Sequence, residues 1–382
     1  MLPSTETACF AIADISGYTR FVSGVELDHA QDIIADIMDT LVRALRPPFR
    51  LAKFEGDAAF VYAPADKVDG SLLQDSIEHA YFAFRKRLRN IKEANSCECQ
   101  ACSEMQSLDV KFVVHHGEFI RQKMSGREEL AGRDVILVHR LLKNDVVKTF
   151  GSHAYALYSD ACVRAMGIDP VAQGLRELAE PIEHIGEVRC WVSDLQQAWT
   201  REVAAKRIVV ERADAIEVIA ADFPAPRAAV WDLLTQPGHR PRWQDKDSVI
   251  ESTVKGRRGA GTQNHCMHGK DTIIEDILDW RPFDHLTLTT LLPAPGAPKI
   301  LMCWTLEERA DGGTHFELRF GKLKAKDLPF FERIWPGVYK KFTGEFELLR
   351  ALLVEQASAA AIDEAPPPLS RERFLTQPAH AP

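Results

Sequence analysis

Asp14 and Asp57 raise the first chemical possibility in this chain. Asp14 lies near the end of the apolar run Cys9–Ile15, just before Ser16-Gly17, and Asp57 sits in the turn Glu55-Gly56-Asp57. Two carboxylates on neighbouring strands can hold two divalent ions about 3.5–4 Å apart, activate an attacking hydroxyl and neutralise a triphosphate. Aspartates near turns are also ordinary turn formers and helix caps, and the pair alone does not decide between these roles. Cys97, Cys99 and Cys102 form a C-x-C-x-x-C cluster in a polar loop. Thiolates at that spacing can close on one Zn²⁺, with His115, His116, Cys9 or a partner chain supplying the fourth ligand. Reversible redox chemistry and unengaged thiols are the competing readings. His265, Cys266 and His268 fall on one strand, where alternate residues face opposite sides. Either His265 faces a cavity and His268 faces solvent, or the reverse; the ordinary role of such a histidine is hydrogen-bonded packing.

These residues need elements to hold them. Cys9–Ile15 reads as a buried strand running into a turn. Ile33, Ile34, Ile37, Met38, Leu41, Val42 and Leu45 recur at helical spacing, and Pro47-Pro48 stops that helix. Leu51–Phe54 and Ala58–Tyr62 form two strands joined by the turn at Gly56. A second amphipathic helix spans Leu72–Ile91, followed by a strand over Leu108–His115, a helix over Val135–Leu142, and strands over Ala154–Tyr158 and Val188–Val192. The order predicts an α+β sandwich with helices on one face of a mainly antiparallel sheet. After a helical, mixed-charge connector, a strand near Ile216 leads to a helix opening at Pro224-Ala225-Pro226. Six Thr-, Ile- and Leu-rich strands between Ser248 and Phe320 follow, and then an amphipathic helix over Leu328–Glu355. That pattern predicts a curved antiparallel sheet gripping a long terminal helix. The expected division is a first domain over 1–195, a linker over 196–211, a second domain over 212–357 and a disordered Ala- and Pro-rich tail over 358–382.

The 382 residues carry 47 Lys plus Arg against 55 Asp plus Glu, a formal charge of −8. That balance argues against broad nucleic-acid binding, which needs a basic stripe, but suits a nucleotide held through metal ions. No apolar run approaches the roughly 18–20 residues that span a bilayer, and no secretory signal is evident. Eight cysteines are too sparse for a disulfide scaffold, so a reducing cytoplasm is expected.

The wording around the aspartates extends the reading. Phe10-Ala11-Ile12-Ala13-Asp14-Ile15-Ser16-Gly17-Tyr18-Thr19 resembles the first metal-site strand of class III adenylate and guanylate cyclases. Lys53-Phe54-Glu55-Gly56-Asp57 resembles their Lys-x-x-Gly-Asp hairpin. Val114-His115-His116-Gly117-Glu118 is similar to the strand preceding their dimerisation arm, and Gly132-Arg133-Asp134-Val135 with Arg140 to their transition-state segment. The resemblance covers roughly residues 8 to 194 and looks closer to an uncharacterised cyclase-like branch than to established cyclases. It implies a ferredoxin-like nucleotide-cyclase sandwich. It also implies that Asp14, Asp57 and the carbonyl of Ile15 hold Mg²⁺ or Mn²⁺, that Lys53 and Glu129 read the purine, and that Arg140 offsets charge on the α-phosphate. In these enzymes the metal ligands and the base-reading residues come from different subunits, so a homodimer binding a purine nucleoside triphosphate is implied. One departure stands out. Ile136 occupies the position of the family's ribose-orienting asparagine and cannot hydrogen-bond through its side chain. Its other reading is an extension of the helix's apolar face.

Phe223-Pro224-Ala225-Pro226, Val230-Trp231-Asp232-Leu233-Leu234, Pro241-Arg242-Trp243 and the long last helix resemble the START-like (SRPBCC) helix-grip superfamily. A cavity for a hydrophobic small molecule or lipid is implied. Trp231, Trp243, Trp304 and Trp335 read as core or cavity wall. Three functions are therefore open: a purine nucleotide cyclase making cyclic AMP or cyclic GMP and tuned by the second domain; a non-enzymatic cyclase-like dimer sensing a small molecule; and lipid transfer or ring closure in the second domain.

Overall fold

The computed structural model describes residues 4–25, 27–94, 101, 104–124, 127–291 and 297–364. Strand β1 (Glu6–Ser16) lies at the centre of the first sheet because both of its edges are paired. It runs antiparallel to β3 (Ala58–Pro64) on one side and to β4 (Asp109–Met124) on the other. Residues 8 to 13 are all fully buried, which is why they read as an uninterrupted apolar run rather than an alternating one. With β2 (Arg50–Glu55), β6 (Tyr155–Ser159), β7 (Arg176–Ile182) and β8 (Gly186–Asp194), the order is β2-β3-β1-β4-β6-β8-β7. β5 (Arg127–Ala131) pairs with the outer half of β4.

Helices α1 (Tyr18–Gly24), α2 (Leu27–Leu45) and α3 (Gly70–Ala94) cover one face of this sheet, meeting the side chains of Cys9, Ala11, Ala13 and Ile15. The short helices α4 (Arg133–Arg140) and α5 (Val146–Phe150) cover part of the other face, over Phe10, Ile12 and Phe60. The sandwich is thus not one-sided as expected, since α4 and α5 oppose the larger helices. Helix α6 (Asp160–Ala165) follows β6 and is capped by the Ser159 hydroxyl, which accepts from the Cys162 N–H.

Helix α7 (Leu195–Ala204) and an extended segment lead to the second sheet. Its order is β10-β11-β12-β13-β14-β15-β9, every pair antiparallel. The strands are β9 (Glu217–Phe223), β10 (Ser248–Ser252), β11 (Gln263–His268), β12 (Asp271–Arg281), β13 (His285–Leu291), β14 (Lys299–Glu308) and β15 (Thr314–Phe320). Helix α8 (Arg227–Thr235) buries Val230, Trp231, Leu233 and Leu234. The last helix, α9 (Leu328–Glu364), lays Phe331, Phe346, Leu349 and Leu353 on the concave face. It continues nine residues beyond the expected Glu355, through the Ala-rich start of the segment read as tail, since alanine favours helix.

The two halves meet along α3. The Arg257 guanidinium donates to Asp75 Oδ1 (2.6 Å) and to both carboxylate oxygens of Glu78 (2.9 and 2.8 Å). Arg258 donates to both oxygens of Asp69 (2.8 and 2.7 Å), and the Trp280 indole N–H donates to Asp75 (3.1 Å). Asp279 anchors the connector by accepting from the Ile208 N–H and from Arg207. Among the described residues no helix is long and apolar enough to cross a membrane.

Candidate functional site

Asp14 and Asp57 are brought together by pairing of β1 with β3. Asp14 lies opposite Ala58, and the Ile15 N–H donates to the Asp57 carbonyl at 3.1 Å. Gly56, at φ +67°, takes the left-handed conformation that lets the β2–β3 hairpin close there. Burial raises the Asp14 pKa, Lys111 opposes that shift, and the nearby Asp57 charge adds to it. Lys111, across the ladder from Asp14 on β4, places Nζ 3.8 Å from Asp14 Oδ1 and donates to the Leu142 carbonyl at 3.3 Å. Sequence reading missed Lys111. Its only signal was its register opposite Asp14, which needs the strand pairing to be known. Among the described residues no group of three or more His, Cys, Asp or Glu side chains is arranged to hold a metal ion.

Lys53 and Glu129 also meet, though 76 positions separate them in sequence. Lys53 Nζ lies 3.0 Å from Glu55 Oε1 and 3.4 Å from Glu129 Oε2. The Glu55 hydrogen bond is the main reason the Lys53 pKa is raised. Lys53 pairs with Phe60 and Asp14 follows Ile12 by two, so both occupy the sheet face that α4 partly covers. His139 of α4 fixes the same hairpin, with Nε2 3.1 Å from Glu55 Oε1 and Nδ1 2.6 Å from the Val135 carbonyl.

Helix α4 is held by its first turn. The Asp134 carboxylate accepts from the Glu118 N–H at 2.7 Å, an approach open only because residue 117 is glycine. A Cβ on Gly117 would stand 2.4 Å from the Asp134 carboxyl group. Arg140, at the helix end, is exposed and lies 3.5 Å from Glu183. Ile136 corrects one expectation. It does not extend the buried stripe of Val135, Leu137 and Val138 but is 56% exposed, since it is turned outward between them. An apolar side chain therefore faces solvent where a hydrogen-bonding one was expected.

His115 has a Ser159–His115–Asp134 alignment, with Nδ1 2.7 Å from Ser159 Oγ and Nε2 3.4 Å from Asp134 Oδ1. Ser159 is 1% exposed and its oxygen already caps α6, so no substrate carbonyl reaches it. The group instead joins α4 to α6 through the sheet, and burial lowers the His115 pKa. Cys97, Cys99 and Cys102 lie outside the described residues. Of the other zinc-ligand candidates, His115 is buried with Nδ1 held by Ser159, and Cys9 is buried in β1 beside Cys162.

In the second half a cavity of about 120 Å³ lies between the sheet and α9. Ile300, Met302 and Trp304 line it from successive inward positions of β14, with Phe320 beside Met302 on β15 and Phe331 and Phe342 of α9 opposite. His268 lines it, so it is the reverse alternative that holds. His265 is instead 2.9 Å from Gln263 Oε1. Trp231, Trp243 and Trp304 are buried as expected, and Trp335 packs on Phe320 and Phe331.

Residues 217–348 match the family described as polyketide cyclase / dehydrase and lipid transport. Residues 34–149 match a family described as protein of unknown function (DUF2652). Solved structures that superpose on parts of the chain include a bacterial light-regulated adenylyl cyclase, at 10% identity and TM-score 0.38 over 52% of this chain and 95% of that one. The adenylyl cyclase CyaB from Pseudomonas aeruginosa superposes at 15% identity and TM-score 0.37, over 51% and 97%. Protein MLL2253 from Mesorhizobium loti does so at 18% identity and TM-score 0.31, over 36% and 96%. The two sheets bear out the expected α+β architecture, and the all-antiparallel second sheet, the long C-terminal helix and the C-terminal family match bear out the START-like reading of the second half. The uncharacterized protein Rv2561/Rv2562 of Mycobacterium tuberculosis is 36% identical over 166 residues, which is 42% of this chain and 73% of that protein, and the chain belongs to the same family.

Proposed function

We propose that this chain is a cyclase-like signalling protein. Its first half binds a purine nucleoside triphosphate with Mg²⁺ or Mn²⁺, and its second half receives a hydrophobic small molecule or lipid. The supporting observation is that β1–β3 pairing brings Asp14 to Asp57 while Lys53 separately meets Glu129, two clusters on a sheet face only partly covered by helices, each able to serve as half of a site shared between subunits. Asp14, Asp57 and the Ile15 carbonyl are the metal donors, an incomplete set that fits an ion bringing its own phosphate oxygens. Bound there, the ion would neutralise the triphosphate and activate the attacking hydroxyl. Lys53 and Glu129 offer a donor and an acceptor for a purine edge, and Arg140, free of burial, is available to the α-phosphate. In a head-to-tail homodimer, one subunit supplies the metal donors and the other supplies the remaining residues. Zinc at Cys97, Cys99 and Cys102 belongs to the same proposal, and metal analysis finding under about a tenth of an equivalent would remove it.

Ile136 withholds one oriented contact, a loss worth roughly 10²–10³ in rate, so formation of cyclic AMP or cyclic GMP should be slow. Incubating the chain with ATP or GTP and Mn²⁺, beside an Asp57→Ala control, should yield cyclic product above the control. A second reading, a nucleotide-binding dimer without turnover, is favoured by Ile136 and by the Lys111 ammonium beside Asp14. Nucleotide binding by calorimetry with no product above the control would select it. Absence of binding would end both.

A further inference from the structure

The helix-grip cavity is apolar along β14, β15 and the Phe331, Val338 and Phe342 positions of α9, but it also carries polar groups, Gln244, Lys246, His268 and Glu275 together with Glu345 of α9. The buried charges there are unevenly paired. Arg240 and Glu275 form a two-pronged ion pair (2.7 and 2.8 Å), and both side chains are almost wholly enclosed. Burial alone would raise the Glu275 pKa, but Arg240 and Lys246 hold it well below the usual carboxylate range. Lys246, its side chain 5% exposed, lies 3.6 Å from that same Glu275, so one carboxylate serves two cations. Glu345 accepts from the Asp245 N–H at 3.1 Å and lies 3.9 Å from Lys341. Arg240 and Lys246 thus share the one Glu275 carboxylate, while Glu345 pairs with the exposed Lys341, so among the described residues Lys246 has no carboxylate of its own.

A second observation is independent of charge. Trp304 is 3% exposed, and its indole N–H has no hydrogen-bond partner. Buried donors are almost always paired, so an orphan on a cavity wall marks where an acceptor belongs. His268 Nε2 is unpaired as well, and whether it donates or accepts depends on the tautomer. The cavity's roughly 120 Å³ is close to the ~150 Å³ apolar cavity that admits one benzene ring.

We infer that the second domain takes a monocarboxylate of about one ring's size. Its apolar body lies against Ile300, Met302, Phe320, Phe331 and Phe342, and its carboxylate accepts from Lys246 and the Trp304 N–H. This rests on the hydrophobic-ligand reading of the domain and narrows it. An anion gives Lys246, which shares Glu275 with Arg240, a carboxylate of its own, and gives Trp304 the acceptor it lacks, while the space available suits a body of about one ring.

Titration calorimetry of the full chain with benzoate, its neutral isostere benzamide, and toluene tests this. Benzoate should bind about tenfold more tightly than benzamide. Lys246→Met should abolish that preference while leaving toluene binding within about twofold, and Trp304→Phe should weaken benzoate about fivefold. Near-UV circular dichroism checks that the variants keep their packing. Should Lys246→Met not fold, the wild-type comparison and Trp304→Phe decide the matter. Toluene or benzamide binding as tightly as benzoate overturns the carboxylate inference and leaves the hydrophobic-ligand reading standing. No binding of any of the three at about 10 mM overturns both for ligands of this size.

Discussion

Replacing Arg257 with alanine should strand two carboxylates at the junction of the two halves. In the native chain the guanidinium satisfies Asp75 and both oxygens of Glu78. The Asp75 side chain is 3% exposed, so solvent cannot replace the lost cation there, although 23% of Arg257 and 21% of Glu78 remain accessible. Breaking a fully buried pair by removing one partner costs about 3–5 kcal/mol, and the partial exposure sets this case near the lower end, about 3 kcal/mol. At roughly 2 °C per kcal/mol for large domains, thermal unfolding of the full chain should fall by about 6 °C.

The pH dependence separates stranded charge from lost packing. Burial already raises the Asp75 pKa, against the opposing pull of Arg257 and Trp280. Without Arg257 it rises further. As pH falls, the folded variant then takes up a proton at a pH where the unfolded chain, with an ordinary carboxyl, does not. The deficit should be full near pH 8 and shrink to less than about half near pH 5. Circular dichroism melts at both pH values measure it. An unchanged melting temperature near pH 8 would refute the claim that this ion cluster holds the halves together. An equal deficit at both would refute the electrostatic account.

Two further outcomes can be measured. Lys111→Gln should tighten Mn²⁺ binding in the presence of nucleotide by about tenfold, because a cation 3.8 Å from Asp14 competes with the ion through a partly screened interaction of about 1–2 kcal/mol; equal or weaker binding by calorimetry would dismiss Lys111 as a competitor. Glu251 has its pKa pushed up to about 7 by burial, with Arg258 opposing and Asp69 adding to the shift. Its folded pKa therefore exceeds the unfolded one, and its ionisation costs stability as pH rises from about 5 through 7. Glu251→Gln should gain about 1–2 kcal/mol near pH 8 after allowance for solvent screening, and little near pH 5, in urea unfolding followed at both.

What could be read in advance followed the local pattern. The β1 run was legible because both faces of that strand are buried, and α2 because its apolar residues repeat at helical spacing. The outer half of β4 was not, since Glu118, Arg121 and Lys123 interrupt any apolar pattern; pairing with β5 sustains it. Asp14 and Asp57 were legible from their turns, whereas Lys111 joins them through cross-strand register. Of the two readings of Ile136, the apolar-face extension fails: its neighbours Val135, Leu137 and Val138 are all buried, and only the helix's rotation shows that residue 136 points out. In the second half, Arg240 and Glu275 lie 35 positions apart, and no local signal pairs them.

Helix α3 is the element through which the two halves bear on each other. Along one side, Leu73, Ile77, Ala80 and Phe84 pack beneath the first sheet, the sheet whose central strand carries Asp14. Along the other, Asp75 and Glu78 receive Arg257. Asp69 does two jobs, accepting from the Leu72 N–H as it caps the helix and from Arg258. At its start, a Cβ on Gly70 would come within 2.4 Å of the Met166 carbonyl, so the first turn has no slack against the chain that follows α6. Arg257 and Arg258 leave β10 on the loop that returns as β11, and β11 ends at His268 on the cavity wall. Packed interfaces of this kind move by discrete repacking rather than by smooth deformation. A ligand that repositions β11 therefore has a short mechanical path to α3. It can alter the first sheet only insofar as the Arg257 and Arg258 ion pairs hold while it does so.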